Sequence, residues 1–253
     1  MAGWLRNLRI AIAFLTRLPV SSSLRPETAS AGYLACSTGM FPLVGAGIGL
    51  AGALTFLGAQ GLGLHPLACA FIAIGAGVLV TGALHEDGLA DVADGLGGGR
   101  TRPDRLRIMR DSRIGSFGAL AIVFSVGLRA AVVAGLPSPE TAAAALVAAA
   151  AVSRAPMPAL LRWLPAARAS GLAADAGCPG FSQVAVASIL AAVIAFVVLA
   201  PVTAVIVLAA AAGAAAVAAW IGYKALGGHT GDLLGAAQQL AEVAVLVTVA
   251  AAA

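Results

Sequence analysis

Charge is what this sequence has least of. Only 10% of its 253 residues are Asp, Glu, Lys or Arg, against about a quarter in a soluble globular domain. A solvated surface all round is therefore excluded. Aromatic residues are also scarce, at 5%. The net charge of +4 comes without the aromatic-interleaved basic patch that marks a nucleic-acid binder, so no nucleic acid is expected as a partner. The three cysteines, Cys36, Cys69 and Cys178, are far apart. They form no CxxC pair and read as small apolar residues rather than a metal site or a disulfide framework. What fills the chain instead is hydrophobic residues, 60% of the total, with a mean hydropathy of +0.98.

Such a composition belongs in a lipid bilayer. A crossing helix needs roughly 20 apolar residues, and suitable runs occur near 40–60, 66–84, 116–135, 140–154, 184–200, 202–221 and 237–253. The expected fold is all-α: a polytopic integral membrane helical bundle of about seven transmembrane helices, forming a single membrane-embedded domain over 1–253. The run at 140–154 is short, and little more than Pro201 divides the fifth run from the sixth. Residues 3–20, GWLRNLRIAIAFLTRLPV, carry Arg6, Arg9 and Arg17 through their apolar stretch rather than ahead of it. They read as an N-terminal interfacial amphipathic helix in contact with lipid, not as a cleavable signal peptide.

The basic residues give the orientation. Fourteen of the fifteen fall in segments 1–39, 85–115, 154–183 and 222–236, and the intervening connections near 61–65, 136–139 and 201 hold none. The positive-inside rule puts the basic segments in the cytoplasm, with the N-terminus inside and the C-terminus outside. The remaining cation, Arg129, lies inside a run, where it either faces the bundle interior or snorkels to an interface.

Against this sparse background, HEDGLADVADGLGGG at 85–99 places four carboxylates in nine positions. Asp87, Asp91 and Asp94 share one helical face within roughly 60°, with Glu86 set about 100° to the side. Like charges so placed repel, and if the preceding span continues into them the helix dipole opposes them too. A divalent cation resolves the conflict. Clustered carboxylates with retained water suit Mg²⁺, which binds through a few carboxylates plus substrate phosphates; the candidate ligands are Glu86, Asp87, Asp91 and Asp94. The following stretch to Arg113 holds six arginines, Arg100 and Arg110 among them, and guanidinium forks match phosphate oxygens. Asp111, Ser112 and Arg113 precede the next span and are placed to close the site. A second polar island, YKALGGHTGDLLGA at 223–236, brings His229, Thr230 and Asp232 to the same membrane face.

HEDGLADVADGLGGG, IMRDSRIGSFG and GGHTGDLLGA together resemble the cobalamin synthase family, adenosylcobinamide-GDP ribazoletransferase. FLTRLPV and FPLVGAGIG are similar to that family too, so the resemblance covers nearly the whole chain. It implies a multi-pass bacterial inner-membrane enzyme that transfers the adenosylcobinamide phosphate moiety from its GDP-activated form to α-ribazole or its 5′-phosphate. GMP is released and Mg²⁺ is required. On this reading Asp87, Asp91 and Asp94 hold the metal, and Arg113 stabilises the departing GMP. Asp94, Asp232 or His85 takes the proton of the acceptor hydroxyl. Arg100, Arg110, Asp111, Ser112, His229 and Thr230 contact substrate. Other cobalamin-assembly enzymes are expected to gather at the cytoplasmic face.

Two other classes were weighed. A CDP-alcohol phosphotransferase also uses Asp-Gly-rich helices at the membrane edge, but Asp91 stands where that pattern has its Ala-Arg. A cation transporter would place acids near the midplane, whereas these lie at one edge.

Overall fold

The computed structural model describes residues 2–20, 33–169 and 171–253. Arg25, one of the basic residues used for orientation, lies outside them. The elements are α1 (Ala2–Leu15), α2 (Tyr33–Ser37), α3 (Phe41–Gly61), α4 (Pro66–Thr81), α5 (Leu84–Gly98), α6 (Arg102–Ile108) and α7 (Ser116–Ala134). They continue with α8 (Pro139–Val152), α9 (Pro156–Trp163), α10 (Leu172–Asp175), α11 (Phe181–Val198), α12 (Pro201–Ile221) and α13 (Gly231–Ala252). A 3-10 turn (Thr38–Met40) leads into α3 and a π-helical turn (Gly222–Leu226) ends α12. The described residues form no strand, and the all-α membrane bundle read from composition is what the chain builds.

Proline marks where many of these helices start. Pro42, Pro66, Pro139, Pro156 and Pro201 stand at the first or second helical position, where the missing N–H costs nothing and φ is already helical. Pro201 therefore divides two real spans, α11 and α12. The short run at 140–154 is longer in space than in hydropathy. Arg154, Pro156 and Pro158 interrupt the apolar count, yet α8 and α9 together make a 25-residue span from Pro139 to Trp163, largely buried inside the bundle. Among the described residues six helices are long and apolar enough to cross a membrane, and α4 with α5 is a seventh candidate bent by 91°.

That bend positions the acids. Gly82 (φ 65°) and Ala83 (φ 59°) are both left-handed, which ends α4 and starts α5 in a new direction. At about 1.5 Å per residue, α4 rises roughly 24 Å, and α5 then lies across the end of the bundle instead of prolonging the span. Arg17 donates its backbone N–H to the Val80 carbonyl at 2.7 Å, and its side chain covers Gly82. The segment after α1 thus braces the corner. α1 itself buries Ile10, Ala11 and Leu15 against the bundle and leaves Trp4 and Leu5 outside, the two faces expected of an interfacial helix.

α13 is the central element, touching α12, α5, α8, α7 and α9. On the other side α3 and α8 meet through small residues: a Cβ on Gly45 would stand 2.2 Å from the Ala150 carbonyl oxygen, and one on Gly49 would stand 2.6 Å from that of Leu146. This four-residue glycine spacing lets two backbones approach where no hydrophobic driving force separates protein from lipid. The two ends of the bundle differ chemically. The arginine-bearing segments converge at the α5 end, while Pro137, Leu199, Ala200 and Ala253 surround a depression at the other end whose lining contains no Lys or Arg.

Candidate active site

The site is built where α5 crosses the start of α13. Gly88 faces the Asp232 backbone, and a Cβ there would come within 2.7 Å of the Asp232 carbonyl oxygen; Gly235 in turn lies against the His85 backbone. Two polar islands separated by more than a hundred residues are therefore in direct contact. Thr230 caps α13, accepting the Leu233 N–H at 3.0 Å, so Asp232 sits in the first helical turn, where the helix dipole favours an anion.

Each acid of α5 has a different neighbour. Because α5 begins afresh after Ala83, Glu86 and Asp87 occupy its first turn and the dipole supports them. This corrects the sequence expectation that they end the preceding span. Asp94 receives two backbone donors at the start of α7, Gly115 N–H at 2.7 Å and Gly118 N–H at 2.8 Å. Gly115 and Gly118 permit this, since a Cβ on either would strike the carboxylate. Asp91 is different again. Desolvation first, then the charges of Asp232 and Asp87, push its carboxyl up to about 7. Asp87 is exposed. Glu86 does not join these three: its side chain turns inward and pairs with Arg129 at 3.0 Å.

The arginines sort into two groups. Arg102 and Arg105 pin α6 in place, donating to the carbonyls of Ala167 and of Gly99 and Ala225. Arg107 and Arg110, with Arg168, line a depression of about 350 Å³. In the sequence Arg168 is only one of the basic residues of segment 154–183. Here it donates to Asp232 at 3.3 Å and to the Leu106 carbonyl at 3.2 Å, joining α6 to α13. Its spacing from either island gives no signal, because a single backbone ladder delivers it: Ala167 N–H to the His229 carbonyl, and His229 N–H to the Pro165 carbonyl. His229 is thereby buried with Nδ1 unpartnered among the described residues, and burial lowers its pKa. Arg100 and Ser112 are exposed. Arg113 forms a fork onto Asp111, at 3.1 and 2.8 Å, which holds Asp111 at about 2.

A family model described as Cobalamin-5-phosphate synthase matches residues 7–250. The chain belongs to that family. It is 43% identical over 245 residues to the adenosylcobinamide-GDP ribazoletransferase of Bradyrhizobium diazoefficiens, covering 97% of this chain and 93% of that one. It is 45% identical over 251 residues to the enzyme of the same name from Azorhizobium caulinodans, covering 97% and 95%. The corresponding figures for Rhizobium meliloti are 46% over 257 residues, 96% and 95%. No solved structure matches the chain.

Behind the surface acids, this family member carries a buried polar layer that hydropathy concealed. Arg129, 3% exposed, bridges Glu86 and Glu242. Gln239 donates to Glu86 at 3.1 Å and accepts from Ser125 at 2.8 Å, while Gln238 joins Ser153 to Glu242. Of the two places open to Arg129, the chain uses the interior. The layer anchors the inward face of α5 and thereby orients the opposite face, which carries Asp87 and Asp91. His85, 1% exposed, stands between the two. Burial, with Arg154 and Arg129 nearby, holds it well below the ordinary imidazole range and therefore neutral.

Proposed function

We propose that this chain is an adenosylcobinamide-GDP ribazoletransferase of the bacterial inner membrane, joining adenosylcobinamide-GDP to α-ribazole or its 5′-phosphate with release of GMP. The observation that carries the reading is the junction of α5 with α13, which brings acids and an arginine-lined depression to one end of a chain matching enzymes of that name over 97% of its length. The basic residues of that end support a cytoplasmic orientation.

The donor set fits a hard divalent cation. It is all oxygen, Asp91 is raised by desolvation and then by the neighbouring charges of Asp232 and Asp87, and Asp87 is free of any described partner. Among the described residues no three acidic, histidine or cysteine side chains converge tightly enough to enclose an ion. Any Mg²⁺ there would therefore need phosphate and water to complete its coordination. Asp87 and Asp91, with Asp232 beside them, would hold it. Bound there, it would supply charge neutralisation for a diphosphate.

The chain's own groups account for the rest. Arg107, Arg110 and Arg168 bind the diphosphate and offset the charge that develops on the departing GMP; Arg113 and Asp111 brace the rim. A ribose hydroxyl of the acceptor attacks the phosphorus that bears cobinamide, the bond to GMP breaks, and the hydroxyl proton passes to the enzyme. Of the three candidates, Asp232 is the acceptor that would take it, since Asp94 is occupied by two N–H groups and the His85 Nε2 is sealed from solvent. Purified protein in liposomes, given both substrates, should form the joined product and GMP only with riboside present, and chelator should stop it. GMP release that ignores the riboside would overturn the reading.

A further inference from the structure

Beside the junction lies a cavity of about 140 Å³, and its walls change character from one end to the other. At the acid end stand His85, Asp87 and Asp232; away from it stand Phe14, Phe41, Met157 and Leu161. Phe14 and Phe41 stack with ring centroids 5.8 Å apart, and Phe41, Met157 and Leu161 are buried. His85 lines this cavity too, with its side chain closed off at 1% exposure.

Size and polarity limit the occupant. An apolar cavity of about 150 Å³ holds one benzene ring, so this one takes the six-membered edge of a planar ring system, with the remainder in its mouth, and is far too small for a corrin macrocycle. Guanine also fails, because its several donors and acceptors would go unpaired against Phe, Leu, Met and Ala. The base of ribazole is a methylated benzimidazole, planar and apolar with no exocyclic donor. We propose that the α10-side cavity between α1, α3, α9 and α13 is the acceptor-base site, seating the benzimidazole ring of the riboside against Phe41 and Met157. The ribose then emerges at the acid end, beside Asp87 and Asp232. The inference rests on the ribazoletransferase reading and adds which substrate enters from the α1 side. The two substrates then approach from different directions, the riboside through the apolar cavity and the nucleotide over the Arg107, Arg110 and Arg168 depression.

The test separates the two claims. Direct titration of α-ribazole onto wild-type protein in nanodiscs, with no corrinoid present, should show saturable binding. Ala176→Phe, which fills the cavity from a buried wall position, should abolish that binding and raise the KM for riboside at least tenfold, leaving the KM for adenosylcobinamide-GDP unchanged. An unchanged riboside KM in the filled variant would overturn the site while the transferase reading stood. Should that variant fail to fold, wild-type inhibition by the free benzimidazole base decides: competition with riboside supports the site, and competition with adenosylcobinamide-GDP overturns it. Absence of GMP release in wild type, with riboside binding intact, would instead strike the transferase reading alone.

Discussion

Asp87, Asp91, Asp94 and Glu86 look equivalent in the sequence and are not equivalent in the fold. Asp87→Asn is expected to remove turnover by at least about a thousandfold, the scale of losing a main electrostatic contributor, without changing membrane insertion; GMP release and protease protection measure the two. Asp94→Ala should act mainly through α7, costing about 1 kcal/mol as the loss of a helix-capping acceptor does, seen as a lower melting temperature. Asp91 carries a pH signature. Its folded pKa of about 7 lies above the 3.8 of an ordinary aspartate, so the folded state holds the extra proton. In chelator, stability should therefore fall as pH rises from about 4 to about 7. Protons and cation compete for the same oxygens, so Mg²⁺ affinity should increase over the upper part of that range and level off above it. A pH-independent affinity between 6 and 8 would contradict the placement of Asp91. The shared face of the three aspartates was legible because helical periodicity needs only spacing. The inward turn of Glu86 was not, because its partners Arg129, Gln239 and Glu242 come from distant segments that read as parts of apolar spans.

Among elements, α5 matters most, and its position depends on two contacts that tolerate no Cβ. Gly82→Ala would strain a left-handed residue and drive a methyl group into the Arg17 side chain, 2.2 Å away; a loss of roughly 1–2 kcal/mol is expected from the backbone alone, measured by thermal unfolding in detergent. Gly88→Ala should push α5 away from the Asp232 backbone and reduce kcat sharply with little effect on fold. Wild-type kcat in that variant would mean the junction is not the catalytic one. On the inward face, Arg129→Met leaves Glu86 and Glu242 buried without their cation, and breaking such a network costs about 3–5 kcal/mol. The spans were readable from hydropathy and proline placement. The corner at Gly82–Ala83 was hidden, since a single Gly-Ala step inside a long apolar stretch does not announce a right-angled turn. For the same reason the dipole argument reversed for Glu86 and Asp87, which stand in the first turn of a separate helix.

At the scale of the whole molecule, the bundle separates its tasks by end and by depth. Small residues bring α3 and α8 together, a buried ionic layer fixes α5 from below, and the candidate site lies at the basic end. Motif and family resemblance located that end and its substrates. They did not locate Arg168, which serves the site only through the pairing of residues 165–167 with His229, nor the apolar cavity, whose walls come from α1, α3 and α9. The account stands on the claim that the acids of α5 and Asp232 of α13 form one cation-dependent transfer site. Initial rates of GMP release against Mg²⁺ concentration, in wild type and in folded Asp232→Asn, test this most directly. The account predicts that the variant loses at least about a hundredfold in rate, the low end for removing a catalytic proton acceptor, and needs more Mg²⁺ for half-maximal activity. Wild-type rates at the wild-type Mg²⁺ requirement would contradict it.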